Sequence, residues 1–466
     1  MYSHEVEYTR LGLSKYPWNM CKNLNYTLCD TYPEVFVTPL SLNAPIEKYV
    51  TFRTRNRMPA VVWLDKYSGA VLVRSSQPKV GLLGKREALD EEYFNALFQL
   101  GNHDNAVHIL DVRPKMNAQA NAVMGGGTEN LKNYQSATRE FYAIENIHKV
   151  RESWRRLSKL CTSRKFAESE KAQLQKIISD SGWYYYLGTI LSASGRSRDL
   201  IIQGSSVLVH CSDGWDRTAQ VLSLAEMMLD PYYRTLNGFA VVIEKEWCGF
   251  GHQFSLRTGH SNNMSNYKDD QRAPIFFQFM ECVYQIMVKV PEYFQFTEDL
   301  LIFILDYYLS CYSGTFLGNC ELERYEELKC KERTKSLWDF VAFKEEKFIN
   351  EQYDKTKQVI NIPMENFEFK FWKRYFLRWQ TFQDPEIDKC SLQDLTLGYY
   401  NMTSDTLSDI EIPYSTSPPD LLLPRKIRRE NMIGNRILSA APPRLRTRSA
   451  SDTSISPPQK RILFAD

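Results

Sequence analysis

A chain of 466 residues, 43% hydrophobic and 13% aromatic, is long enough for two or three ordinary domains or one large α/β unit with a sizeable core. A net charge of +2 gives no global attraction to nucleic acid, so any recognition of anions has to be local. The ten cysteines form no CxxC pair and no Cys/His spacing of a metal site, so neither a metal nor a cofactor is expected.

In chain order, the N-terminus Met1-Tyr-Ser-His-Glu is too polar for a signal peptide. Residues 1–45 read as an extended segment, because Pro17, Pro33, Pro39 and Pro45 interrupt regular structure. From 46 to 382 strands and helices alternate. Residues 61–63, 71–73, 107–110 and 207–209 carry β-branched runs of strand type, while 91–100, 147–161, 166–179 and 274–289 carry helical periodicity. That alternation predicts an α/β fold, a central mixed β-sheet flanked by helices on both faces. The most apolar run, 300–309, is interrupted by Asp306 and too short to span a bilayer. The aromatic stretch 367–379 reads as the last packed helix. From 383 to 466 Ser, Thr and Pro accumulate, and eight basic residues between Arg425 and Arg448 face Glu430 alone. This predicts a disordered basic tail, either a solvated linker or an added attraction for anionic lipid. Within it, Arg446-Thr-Arg448-Ser449-Ala-Ser451 has the pattern of a basophilic kinase site, where phosphate would subtract positive charge.

The chemistry concentrates in Val207-Leu-Val-His-Cys211-Ser-Asp-Gly-Trp-Asp-Arg217-Thr218. A short apolar strand delivers Cys211 into a loop of small residues, Arg217 follows six positions on, and helical periodicity begins at once. A loop of this order at a helix N-terminus builds a nest of backbone N–H groups for a phosphate dianion. The field that binds phosphate also stabilises a thiolate, so anion binding and nucleophile activation come from one device. Arg217 supplies a planar fork for two phosphate oxygens, which lysine cannot. Gly214 permits the tight turn, and Thr218 is placed to donate a hydrogen bond to the sulfur. Only Cys211 of the ten cysteines has Arg six residues on, and the periodic stretch after it stops at Asp230-Pro231. Catalysis would run through a cysteinyl-phosphate. A nucleophilic thiol has to stay reduced, which fits the cytosol.

The string from His210 to Thr218 resembles the active-site loop of the myotubularin family of phosphoinositide 3-phosphatases. Further stretches agree: Phe52-Arg-Thr-Arg-Asn-Arg-Met-Pro59, Ser75-Ser-Gln-Pro78, Asp111-Val-Arg-Pro-Lys-Met-Asn117, Gly125-Gly-Gly127, Glu145-Asn-Ile-His148, Glu244-Lys-Glu-Trp247 and Phe250-Gly-His-Gln-Phe-Ser-Leu-Arg257. The similarity runs from about residue 5 to about residue 382. It implies a cysteine-phosphatase-like sheet with a phosphatase domain over 46–382, acting on phosphatidylinositol 3-phosphate and, as a second substrate, the 3,5-bisphosphate. It implies Cys211, Asp216 and Arg217 as the catalytic set, with Asp216 as general acid and then base. Asn121, Asn146 and Ile147 would touch the inositol phosphate, Ser212, Asp213, Gly214 and Trp215 would line it, and Arg257 would meet a second phosphate. At Gln253 the family's usual basic residue is missing. Plainer roles stand beside these. Asn121 would bond the backbone near the glycine turn, Asn146 would satisfy a strand end, Arg257 would be a surface arginine, and Trp215 would pack rather than touch lipid. His210 would brace the loop backbone.

The resemblance also implies a cytoplasmic protein, peripheral on endosomal membranes, that pairs as a homo-dimer or with a catalytically dead relative. The family's PH-GRAM domain and coiled coil have no counterpart here, so residues 1–45 read as a linker remnant. A protein-tyrosine or dual-specificity phosphatase and a non-catalytic trafficking adaptor are the competing functions. Against the first, the loop carries two acidic residues; against the second, the Cys-x5-Arg is intact.

Overall fold

The computed structural model describes residues 2–99, 107–134, 137–162, 176, 178–260 and 269–378. The expected basic tail and nearly all of the expected helix at 166–179 lie outside these residues.

Seven strands form one mixed sheet: β1 (Trp18–Lys22), β2 (Val35–Pro39), β3 (Ala60–Leu64), β4 (Val71–Ser76), β5 (Val107–Asp111), β6 (Ala137–Phe141) and β7 (Val207–Cys211). Their spatial order is β1-β2-β3-β4-β7-β5-β6. The first four pair antiparallel; β4, β7, β5 and β6 run parallel. Every residue of β4 and β7 is buried. Successive side chains point to opposite faces, so both faces of the sheet's centre are covered.

Register positions the site. Ser76 pairs with Cys211, Asp111 with His210, and Asp111 with Phe141. The four parallel strands therefore end along one edge, and the segments leaving them start side by side. Ligands of α/β sheets bind at such carboxyl edges. The flanking helices used below are α1 (His4–Leu11), α2 (Ala88–Gln99), α3 (Lys115–Val123), α4 (Ile147–Thr162), α5 (Trp183–Ile202), α6 (Arg217–Leu229), α7 (Phe254–Thr258), α8 (Ile275–Lys289) and α9 (Glu298–Ser310). The run around 300–309 forms α9, whose Leu300, Leu301, Ile304 and Leu305 face the core. Among the described residues no helix is long and apolar enough to cross a membrane.

The expected extended segment over 1–45 is corrected. It folds into α1, which ends at Gly12 in the left-handed conformation, and into β1 and β2 at the sheet edge. Trp18, Cys21, Phe36 and Val37 are buried there. The prolines were misleading because Pro17 and Pro33 precede strands, Pro39 ends one, and Pro45 opens a 3₁₀ turn. The sheet therefore begins well before residue 46. Strand β6 is a second surprise: Ala137-Thr-Arg-Glu-Phe141 has no apolar run because it is the opposite edge, only partly buried. Among the described residues of the stretch 367–379 only Lys373–Phe376 is helical, while Phe367, Phe369 and Trp372 pack into the core from irregular chain.

Candidate active site

Cys211 closes β7, and the chain turns at once. Gly214 adopts φ +77° and its N–H donates to Cys211 Sγ at 3.3 Å. The Gly214 carbonyl points the other way, where two buried arginines hold it: Arg57 Nη2 donates at 3.0 Å and Arg74 Nη2 at 2.7 Å. Arg57 also bonds the carbonyls of Phe250 (2.8 Å) and Thr31 (3.0 Å), and Arg74 is paired with Glu246 at 2.7 Å. The Gly214–Trp215 peptide, the one that follows the N–H facing the sulfur, is thus held by cations anchored to distant parts of the fold. The loop lies directly on the end of β4, since a Cβ at Gly214 would stand 2.4 Å from the Ser75 carbonyl oxygen. Gln77 N–H, just past β4, donates to the Ser212 carbonyl at 3.2 Å.

The neighbouring strand ends complete the site. From β5, α3 brings Asn121, whose Nδ2 donates to Ser212 Oγ at 2.9 Å. Its side chain is therefore at the loop, not on the glycine turn. Arg217 opens α6 and makes two long bonds, to the Ile144 carbonyl (3.3 Å) and Ser212 Oγ (3.4 Å). After β6, Asn146 Oδ1 accepts from the N–H groups of His148 and Lys149 at 3.0 and 3.1 Å, capping α4. That oxygen is committed to the start of a helix and not to the strand end of the plainer expectation; Ile147 is the first residue of α4. The Trp215 ring is buried, with the Arg55 and Arg57 guanidinium carbons 5.3 and 5.6 Å from its centroid, within cation–π range. Thr218 Oγ1 is fully buried without a hydrogen bond, so the expected bond to the sulfur is not made.

Two carboxylates border the loop, in opposite environments. Asp216 lies at the N-cap position of α6 but does not cap it. Its oxygens instead take Arg257 Nε at 3.1 Å and Nη2 at 2.7 Å, and His252 Nδ1 stands 3.1 Å from Oδ1. Burial pushes this carboxyl up, but the Arg257 guanidinium and His252 prevail and hold it well below the usual carboxylate range. A general acid needs the opposite sign of shift, so the ligand-free site presents Asp216 as an ionised base. Arg257, from α7, is buried and not a surface arginine. Asp213 is pushed up from its ordinary value by burial, against Arg55, whose Nε lies 3.9 Å away. Gln253 donates to the Gly251 carbonyl at 2.9 Å and that of Asn319 at 3.3 Å, adding no charge.

Behind Cys211, His210 braces as expected. Its Nδ1 is 3.2 Å from the Cys211 carbonyl oxygen and its Nε2 3.3 Å from Glu129. Burial would raise the Glu129 carboxyl, yet His210 and Arg53 hold it well below its ordinary value. Arg53 in turn forks onto Asp90 at 2.8 and 2.7 Å. Arg53, Arg57, Arg74, Gln77 and His252 escaped sequence reasoning as site residues. The arginine spacing in Phe52-Arg-Thr-Arg-Asn-Arg-Met-Pro59 was the available signal for the first two. The assembled set can receive a phosphate monoester: a sulfur beneath an inward amide, a guanidinium beside it, and a carboxylate at the helix start.

Comparison with known proteins agrees with this geometry. The family model for the myotubularin-like phosphatase domain matches residues 1–325. Myotubularin of Xenopus laevis is 40% identical over 383 residues, 81% of this chain and 62% of its own length. The phosphatidylinositol-3,5-bisphosphate 3-phosphatase MTMR2 of Mus musculus is 39% identical over 390 residues, 83% of this chain and 60% of its own length. The chain therefore spans about 60% of the length of these relatives.

Proposed function

The chain belongs to the myotubularin-like phosphatase family, and from that premise we propose that it removes the 3-phosphate of phosphatidylinositol 3-phosphate, with the 3,5-bisphosphate as a second substrate. The activity for which the MTMR2 relative is named supports the substrate class. The observation that carries the reading is the Gly214 N–H donating to Cys211 Sγ, with the following peptide held through the Gly214 carbonyl by Arg57 and Arg74. Such a loop is organised before substrate arrives, and preorganised dipoles at a dry site contribute much of a catalysed rate.

The chemistry proceeds in two displacements. Cys211 sulfur attacks phosphorus, the S–P bond forms, the bond from phosphorus to the inositol oxygen breaks, and that oxygen takes a proton from Asp216. Water then attacks phosphorus, Asp216 takes the water's proton, and the S–P bond breaks to release phosphate and the thiolate. Arg217 holds two phosphate oxygens throughout. Asp216 is ionised beside Arg257 in the free site, so it acquires its proton when the bound phosphate dianion opposes its charge. Asn121 orients Ser212, and with it the loop wall facing the headgroup. A lipid substrate makes the protein peripheral on cytoplasmic, endosomal membranes, where pairing with itself or a dead relative would operate.

Phosphate release from water-soluble short-chain phosphatidylinositol 3-phosphate, set beside a phosphotyrosine peptide, tests the proposal. Preferential turnover of the lipid is expected. Preference for the peptide overturns it in favour of a protein phosphatase, and no release from either leaves a non-catalytic adaptor.

A further inference from the structure

Between β4 and α2 the chain runs Lys79-Val80-Gly81-Leu82-Leu83-Gly84-Lys85. Lys85 N–H donates to the Val80 carbonyl at 2.8 Å, closing a tight finger, and Gly81 and Gly84 both take positive φ. At its tip Leu82 is 73% exposed and Leu83 100%. Single exposed leucines are ordinary on protein surfaces; two adjacent ones on a loop closed by its own hydrogen bond are not.

The finger stands at the active-site rim. Its root is Gln77, bonded to the Ser212 carbonyl at 3.2 Å, and Gly81 N–H donates to the Gly126 carbonyl at 2.7 Å. Gly125 and Gly126 follow the end of α3, the helix whose Asn121 reaches Ser212. That end carries Val123, 68% exposed, and Met124, 88% exposed. Four apolar side chains therefore border one rim, contributed by the finger and by the end of α3, which the Gly81–Gly126 hydrogen bond joins.

Cations flank this apolar tip. Lys79 and Lys85 close the finger; Lys79 Nζ bonds the Thr51 carbonyl at 2.9 Å and Lys85 Nζ lies 5.8 Å from the Phe52 ring centroid, so both root on the same short segment. Burial, and then the Lys85 ammonium, push Lys79 down from its ordinary value. Arg86 faces elsewhere, forked onto Glu91. An apolar tip with ammonium groups at its base matches the section of a bilayer, acyl chains beneath anionic headgroups.

We propose that the 79–85 finger, with Val123 and Met124, docks this chain on an anionic membrane, Leu82 and Leu83 entering the acyl boundary while Lys79 and Lys85 meet headgroup phosphate. The proposal rests on the lipid-phosphatase reading, since it explains how a buried thiol meets a substrate confined to a surface. It assigns interfacial work to residues that touch no reacting atom.

The test uses the full chain with Leu82→Ser and Leu83→Ser combined. Turnover is measured on short-chain lipid in solution and on phosphatidylcholine–phosphatidylserine vesicles carrying the same headgroup. Binding to those vesicles is measured separately in the Cys211→Ser background, where no turnover is needed. Vesicle binding and vesicle turnover should fall roughly tenfold or more, with turnover of soluble lipid unchanged. Leu83→Trp should gain fluorescence quenching by lipids brominated in the acyl chains. Unchanged vesicle binding in the double variant, or no gain in quenching, overturns the proposal. So does a double variant whose only change is loss of self-association in sedimentation, because the finger would then seat a second copy. Failure of the parent to hydrolyse soluble lipid would sink the lipid-phosphatase reading alone, because binding and quenching are scored without catalysis.

Discussion

Replacing Arg257 with Met asks which of two tasks that side chain performs. It removes a buried guanidinium bonded to both oxygens of Asp216, at 3.1 and 2.7 Å, and leaves the carboxylate buried with only His252 beside it. Breaking one partner of a buried ion pair costs about 3–5 kcal/mol, and burial, the largest influence on this carboxyl, is then opposed by a single weaker neighbour. The Asp216 carboxyl should therefore rise. If Asp216 donates the proton to the leaving inositol oxygen, the alkaline limb of kcat/KM on soluble phosphatidylinositol 3-phosphate moves to higher pH in the variant. A substrate with only the 3-phosphate is the informative one, because it has no second phosphate for Arg257 to meet. The stability sign is also determined. A carboxyl held low in the folded state contributes stability above its unfolded pKa of about 3.9 and loses it as pH falls toward the folded value. The stability gap between parent and variant should thus be full above the raised Asp216 pKa of the variant and narrow in stronger acid. Arg257→Lys keeps a charge without the fork and should fall between the two. Superimposable pH–rate profiles on the monophosphate, with only KM for the bisphosphate raised, would refute the coupling and leave Arg257 as a phosphate contact.

Three further expectations follow from named contacts. Gly214→Ala places a methyl 2.4 Å from a backbone oxygen at φ +77°; the left-handed conformation alone costs roughly 1–2 kcal/mol, so the loop must shift, and kcat/KM should fall about a hundredfold or more, 1.4 kcal/mol being tenfold. Retention of parental activity would show that the Gly214 amide is not needed. Gln253→Arg exchanges neutral backbone contacts at 2.9 and 3.3 Å for a cation; a charged hydrogen bond is worth about 1.5–3 kcal/mol, so the ratio of bisphosphate to monophosphate kcat/KM should rise about tenfold or more, and an unchanged ratio counts against this position. Glu281 on α8, fully buried and bonded by Trp183 Nε1 at 2.6 Å, is pushed up to about 8 by burial. The folded state then binds the extra proton, so stability should decline from about pH 4.5 to pH 8 at up to about 1.4 kcal/mol per unit. Denaturant melts of Glu281→Gln should lose that decline; identical slopes in parent and variant would show that Glu281 is not its source.

The strand–loop–helix around Cys211 was legible because its signals are local. A β-branched run, small residues and a 3.6-residue apolar period stand in the order the structure uses. Strands β3, β4 and β5 were legible for the same reason. The cation cage behind Gly214 was not. Arg57, Arg74 and Glu246 come from three separate elements, and only the folded chain brings the two arginines to one carbonyl, with Glu246 paired to Arg74. The sign of the Asp216 perturbation was hidden likewise: spacing placed a carboxylate beside the phosphate site, but whether its neighbours raise or lower it depends on Arg257 and His252 arriving from another element. At the N-terminus the prolines were real breakers, yet they punctuate short elements instead of abolishing them. The edge strand β6 lacked an apolar run because an edge needs none.

The central claim is that Cys211 sulfur becomes bonded to phosphorus during turnover. Brief mixing with lipid radiolabelled at the 3-phosphate, an acid quench and peptide mapping would measure this directly. Label should appear on the peptide holding Cys211, be absent from Cys211→Ser, and persist longer when Asp216→Asn slows hydrolysis of the intermediate. Release of phosphate at the parental rate by Cys211→Ser, with no labelled peptide in either protein, would contradict the account.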